Sequence, residues 1–115
     1  MDVSLPMIKG TVDMLVLKAL SWGPMHGFAI SQWLAARSSG MLGVDDSGMY
    51  QVLHRLEGRG WVEAEWRVTE NNRRARFYSL TYAGRAHLKT ETSNWLRYSG
   101  VVTALMTSTK RAANE

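Results

Sequence analysis

The sequence contains no cysteine, which excludes disulfides and thiolate metal sites and fits a reducing compartment. Its three histidines, His26, His54 and His87, lie far apart, and no two are spaced i, i+4, so they make no case for a metal either. No Gly-x-Ser-x-Gly elbow and no phosphate-cradling glycine loop occur, and the one pair of adjacent carboxylates, Asp45-Asp46, is explained by a helix start. No cofactor is implied, and nothing argues for an enzyme. No apolar run is long enough to cross a membrane, and Met1-Asp2-Val3-Ser4 lacks the basic and apolar regions of a signal peptide. The expected location is cytoplasmic, with no membrane partner. Internal repeats and low-complexity segments are absent.

What remains is 115 residues, one domain's worth, with 45% hydrophobic residues for a small core. A core of that size makes oligomerisation a useful further source of stability. The net charge of +4 and a pI near 9.8 suit a polyanionic partner.

The pattern is dense between Asp46 and Trp66. Asp46-Ser47-Gly48 reads as a helix start, with Ser47 as the cap and Asp46 at the positive end of the dipole. Met49, Val52, Leu53 and Leu56 recur at helical spacing and form one apolar face. Gln51, His54, Arg55 and Gly58 point the other way. Gly60 stops the helix, and Trp61 to Val68 alternates as a strand, with Val62, Ala64, Trp66 and Val68 on one face. A polar turn, Thr69 to Ala75, leads to a second strand from about Arg76 to Leu80. Asn71-Asn72 tolerates turn geometry, and Arg73, Arg74 and Arg76 crowd the hairpin.

Upstream, Gly10-Thr11 opens a helix with Thr11 as its cap. Val12, Leu15, Val16, Ala19 and Leu20 form its stripe, and Met14 and Leu17 make it apolar nearly all round, as expected of a helix covered on two sides. Gly23-Pro24 breaks it. His26 reads as a structural turn residue before a second helix, Phe28 to about Arg37, with Ile30, Trp33 and Leu34 inward. Helix, link, helix, then a hairpin is the layout of a winged helix-turn-helix. Thr81 caps a last long helix, from Tyr82 to about Thr107. There Leu88, Thr92, Trp95, Ser99, Val102 and Met106 repeat in a heptad-like seam that Leu96 and Leu105 widen.

The expected fold is therefore mainly α with a small β-hairpin wing: a winged helix-turn-helix domain plus a long C-terminal dimerisation helix. The boundaries are a tail at 1–9, the DNA-binding domain at 10–81, the dimerisation helix at 82–108 and a frayed tail at 109–115. Three arginines on one hairpin favour a phosphate counter-charge, and arginine also suits a narrow minor groove. Gln51 matches adenine edges and Arg55 guanine edges. The competing account is a solvated turn balanced by Glu70. Five tryptophans serve first as core and interface packing; their alternative use is an aromatic-lined cavity at a dimer interface for a planar ligand.

These residues resemble the PadR-type transcriptional regulators of the short kind, from about Lys9 to Trp95. The resemblance rests on Lys9-Gly10-Thr11-Val12-Asp13, Pro24-Met25-His26-Gly27-Phe28, the run Gly48 to Glu57, Gly60-Trp61-Val62, the run Arg76 to Thr81, and Gly84-Arg85. It implies a bacterial dimeric repressor that binds an inverted-repeat operator in double-stranded DNA. The DNA-facing residues would be Ser47, Gly48, Tyr50, Gln51, His54 and Arg55, with Asn72, Arg73, Arg74 and Arg76 on the wing. The homodimer interface would use Leu15, Leu88, Trp95, Leu96, Val102, Leu105 and Met106. In some members a small aromatic effector releases the DNA. Where this chain has Gln51, members often carry proline. The alternative function is a winged-helix protein–protein interaction module without specific DNA binding.

Overall fold

The structure, a computed structural model, describes residues 5–110. Residues 1–4 and 111–115, which belong to the expected tails, lie outside the described residues. The chain runs α1 (Thr11–Leu20), β1 (Met25–His26), α2 (Gly27–Arg37), α3 (Asp46–Gly58), β2 (Val62–Val68), β3 (Arg74–Leu80) and α4 (Tyr82–Met106). The result is a winged helix-turn-helix with a long terminal helix.

α1 is the centre of the core. Val16, Leu17, Ala19 and Leu20 are essentially inaccessible to water, and α2 (Ile30, Leu34), α3 (Met49, Val52, Leu53, Leu56) and the sheet (Val62, Tyr78, Leu80) close around them. The nearly all-round apolarity of α1 has its cause here. Leu17, which with Met14 makes α1 apolar nearly all round, is consumed by its own core. Leu15 and Leu88 also pack on this core and are half-buried.

The sheet has three strands in the order β1-β3-β2, all antiparallel. The short strand β1 escapes the period-two pattern because two residues cannot show one. It pairs Met25 with Tyr78 and His26 with Phe77. His26 is a structural residue, as expected, with more than one task. Its Nδ1 accepts a hydrogen bond from the Ala29 N–H at 3.2 Å and so caps α2. Its ring meets Phe77 edge to face at 5.1 Å. In β2 the inward alternation holds for Val62 and Ala64 and then runs past the core, leaving Trp66 and Val68 on the surface of the wing.

Two helix starts differ from the reading of the sequence. α1 is preceded by Gly10 at φ 90°, with no side-chain cap; Thr11 is already helical and its hydroxyl donates to the Ile8 carbonyl at 2.7 Å. α3 is capped by Asp45, whose Oδ1 accepts from the Gly48 N–H at 2.7 Å. Asp45 sits three residues before that donor, the distance at which a capping oxygen reaches back, whereas Ser47 is already inside the first turn.

Two helix stops follow one design. After α3, the Gly60 N–H donates to Glu57 and the Trp61 N–H to Leu56, with Gly60 at φ 76°; this is a Schellman motif. α2 ends the same way, but Ser39 holds the left-handed position at φ 54°. At the start of α4 the Thr81 hydroxyl accepts from the Gly84 N–H at 3.0 Å and donates to the Gly60 carbonyl at 2.7 Å. Gly84 lies against the Trp61 backbone, where a Cβ would run into the carbonyl oxygen.

α4 leaves this body. The radius of gyration is 17.1 Å and the extents are 63 × 38 × 21 Å, whereas a compact chain of this length has a radius near ~13 Å. Among the described residues, no helix is long and apolar enough to cross a membrane.

Two substitutions should move stability in opposite directions, read by urea unfolding at fixed protein concentration. Gly84→Ala should cost about 3 kcal/mol, because the rigid Trp61 carbonyl cannot give way. Ser39→Gly should gain about 0.5–1 kcal/mol by relieving a left-handed non-glycine residue. A neutral Gly84→Ala would show that the wing junction is looser than this packing.

Candidate nucleic-acid interface

The surface of interest is the outer face of α3 together with the tip of the β2–β3 hairpin. On α3, the burial of Met49, Val52, Leu53 and Leu56 turns Ser47, Tyr50, Gln51, His54 and Arg55 outward. Gly48 is half-buried; a Cβ there would crowd Asp45 and Val44, so this first turn needs a small residue. Tyr50 and His54, one turn apart, stack with ring centroids at 5.9 Å. Among the described residues, the Gln51 amide has no hydrogen-bond partner, so its donors and acceptor are available to a ligand.

Arg55 is engaged. Its Nε donates to Asp13 Oδ2 at 3.1 Å and its Nη2 to Asp13 Oδ1 at 2.5 Å, a fork-to-fork pair that joins α3 to α1. Accepting these hydrogen bonds, Asp13 raises the Arg55 guanidinium further above its ordinary pKa.

The wing tip is a short loop closed by the Thr69 N–H donating to the Arg73 carbonyl at 2.7 Å. Asn72 takes the left-handed position at φ 59°, which asparagine accepts more readily than most residues. The four nearby arginines divide by partner. Arg67 pairs with Glu65. Arg74 lies over the Trp66 ring at 5.1 Å. Arg76 donates to Glu57 Oε2 on α3 at 3.0 Å and lies 5.9 Å from the Tyr78 ring. Burial raises the Tyr78 pKa, against the pull of Arg76, and keeps the phenol neutral. The Arg73 guanidinium has no partner among the described residues. Glu70, the expected counter-charge of a merely solvated turn, forms no ion pair among them either.

The structure thus brings Ser47, Tyr50, Gln51 and His54 onto one face, leaves Gly48 half-buried at its border, and gathers Asn72, Arg73 and Arg74 at the hairpin. Arg55 and Arg76 border that face with their charges already paired. Two residues with a part in the site went unread in the sequence. They are Asp13 and Glu57. Their partners lie 42 and 19 positions away, and only tertiary packing reveals such pairs. Phe28 is a further addition: exposed at the start of α2, it shares a groove with His26, Arg73, Arg74 and Phe77. Among the described residues, no group of His, Asp or Glu is placed to hold a metal ion.

The sequence pattern of the "Transcriptional regulator PadR-like family" matches residues 16–90. An uncharacterised protein of Lysinibacillus sphaericus is 23% identical over 99 residues, covering 86% of this chain and 91% of the relative. An uncharacterised 37.1 kDa protein in a Streptomyces fradiae transposon is 40% identical over 90 residues, 78% of this chain; the match spans 24% of that longer protein. In structure, the chain is similar to a PadR family transcriptional regulator from Eggerthella lenta, with a TM-score of 0.76, 26% identity, and coverage of 88% of this chain and 86% of that one.

The cap assignment is testable by itself. Asp45→Ala should lower stability by about 1 kcal/mol, and Ser47→Ala should change it little, in thermal unfolding followed by circular dichroism. The reverse order would return the cap to Ser47.

Proposed function

The chain belongs to the PadR-like family of transcriptional regulators, and from that premise we propose that it is a dimeric repressor whose recognition helix and basic wing bind an inverted-repeat operator. Its family regulates transcription and is not one of enzymes. The observation that carries the reading is the face made by Tyr50, Gln51 and His54 beside Arg73 at the wing tip, with the Gln51 amide and the Arg73 guanidinium both unpartnered among the described residues. α3 enters the major groove, where Gln51 and His54 meet base edges and Ser47 and Gly48 approach the backbone. The Asn72–Arg73–Arg74 tip lies on phosphates or in the adjacent minor groove. The site of action is the cytoplasm, where the DNA is.

The dimer is supported by α4. Its outer half exposes Leu96, Tyr98, Val101, Leu105 and Met106, with Leu105 68% and Met106 79% accessible, and Val102 less so. A contiguous apolar surface of this kind on a small chain marks an interface. Two-fold closure is the commonest way to cover it, and it would set two recognition helices about 34 Å apart, one turn of DNA. The shallow groove of Ile8, Met14, Trp95 and Tyr98 between α1 and α4 is the surface we assign to a small aromatic effector once a second copy covers it.

Binding to the DNA upstream of its own gene across a salt series tests the reading. Arg73→Ala with Arg74→Ala should weaken all duplexes alike and flatten the salt slope by up to ~2 units, at about 0.9 per phosphate. Gln51→Ala should cost ~1–3 kcal/mol on the operator and little on random duplex. An unchanged slope removes the wing from the interface, and equal losses on both duplexes remove Gln51 from base reading.

The dimer has its own check by light scattering. Val102→Asp with Leu105→Asp, both on exposed surface, should give a folded monomer with greatly reduced operator affinity. A wild-type protein that is monomeric at micromolar concentration would end this assignment.

A further inference from the structure

We propose that Arg55 and Arg76 are positioning residues, which fix the roll of the recognition helix through ion pairs to Asp13 and Glu57 and do not themselves contact DNA. This rests on the operator-binding reading above, and it assigns two arginines of the interface to a different task.

The geometry lies in the helical wheel. Successive residues of an α-helix are about 100° apart around the axis. With Arg55 as origin, Val52, Leu56, Met49 and Leu53 occupy the arc from about 60° to about 160°, which faces the core. On the other side Gln51, Gly58, Ser47, His54 and Tyr50 fall between about −40° and about −140°. Glu57 lies near −160°, about 20° beyond the outer face on one side, and Arg55 lies about 40° beyond it on the other. The two ion pairs therefore stand at the two borders between the buried and the exposed face of α3. One reaches down to α1 and the other across to the wing. A roll of α3 that relaxes one pair stretches the other.

The anchors are fixed. Asp13 sits on the helix whose Val16, Leu17, Ala19 and Leu20 form the centre of the core. Arg76 lies on β3, the middle strand of the sheet, and adjoins the buried Tyr78. The Arg55 fork uses both Nε and Nη2 on the two carboxylate oxygens, which defines an orientation as well as a distance. With two of its five N–H donors on Asp13, the guanidinium plane is set by α1 and is not free to turn to follow a base edge. Beside Asp13 its charge is also offset, and it attracts phosphate weakly. The pair side chains are 45% and 25% accessible for Arg55 and Asp13, and 41% and 31% for Arg76 and Glu57. Pairs so exposed contribute little to stability. Their effect should appear in how well the reading face registers on bases, which depends on orientation.

The experiment uses the full chain, an operator duplex and a scrambled duplex, with fluorescence anisotropy over a salt series. The variants are Asp13→Asn, Arg55→Gln, their double, and the matching set Glu57→Gln, Arg76→Gln and double. Each single change should lower the operator-to-scrambled affinity ratio about threefold to tenfold, and each double should lose no more than the worse single. The salt slope should stay at the wild-type value. Arg55→Lys, which keeps the charge and loses the fork, should lose the ratio as Arg55→Gln does; it also serves if Arg55→Gln fails to fold. A slope flattened by about 0.9 in the arginine variants would make them phosphate contacts and overturn the proposal. So would additive losses in the doubles, tighter operator binding by Asp13→Asn, or a ratio that none of the variants moves. A wild-type protein that cannot tell the two duplexes apart would overturn the operator reading and this proposal together; flattened slopes beside a discriminating wild type would overturn this proposal alone.

Discussion

Burial of α1 is the constraint on which the other elements depend. A helix of ten residues with four side chains out of water can be satisfied only if other elements close on several sides of it. α2, α3, the sheet and the first turns of α4 do so. The hydrophobic gain is about 1.5–3 kcal/mol for each large side chain fully buried, and it acts without direction. Direction comes from polar contacts placed around its rim. The Asp45 cap fixes where α3 begins, the Gly60 turn fixes where it ends, and the ion pairs border its flanks.

The wing is attached through one crowded junction. Trp61 gives its carbonyl to the Thr81 N–H, its backbone to close contact with Gly84, and its ring to a stack on His87 at 3.6 Å with Arg59 on the ring at 5.2 Å. One residue thereby joins the end of α3, the start of β2 and the first turns of α4. A displacement of α4 by a second copy or an effector would be felt at the base of the wing through these contacts, because packed interiors transmit strain instead of absorbing it.

The legible part of this fold was whatever a short period or a local signal encodes. Met49, Val52, Leu53 and Leu56 declared the inner face of α3 at helical spacing, and Thr81 and Gly60 marked their helix ends by residue type. What stayed hidden involved partners distant in sequence or elements too short for a pattern. β1 is two residues long. The choice between Asp45 and Ser47 as cap turned on a boundary shift of two residues, within the usual fraying of helix ends. For Arg55, exposed on α3, nothing local in the sequence marks the ion pair to Asp13, 42 positions earlier. The same holds for the wing arginines. Their number is plain in the sequence, but Glu57, Glu65 and the Trp66 ring engage all but Arg73.

That division of charge changes how the net charge of +4 should be understood. Cations paired within the fold contribute little field at a distance, so attraction to a polyanion comes from those left unpaired. At the wing tip that is Arg73, with Arg74 still cationic over an aromatic face that leaves its charge uncompensated. On the proposed reading, so small a tip would give modest affinity to any duplex. In the proposed dimer, selectivity then has to come from the geometry of the reading face and from joining two half-sites in one molecule. Both demands converge on rigidity: a fixed roll of α3 within each copy, and a covered α4 between copies. The exposed apolar half of α4 and the paired flanks of α3 are two parts of that one requirement.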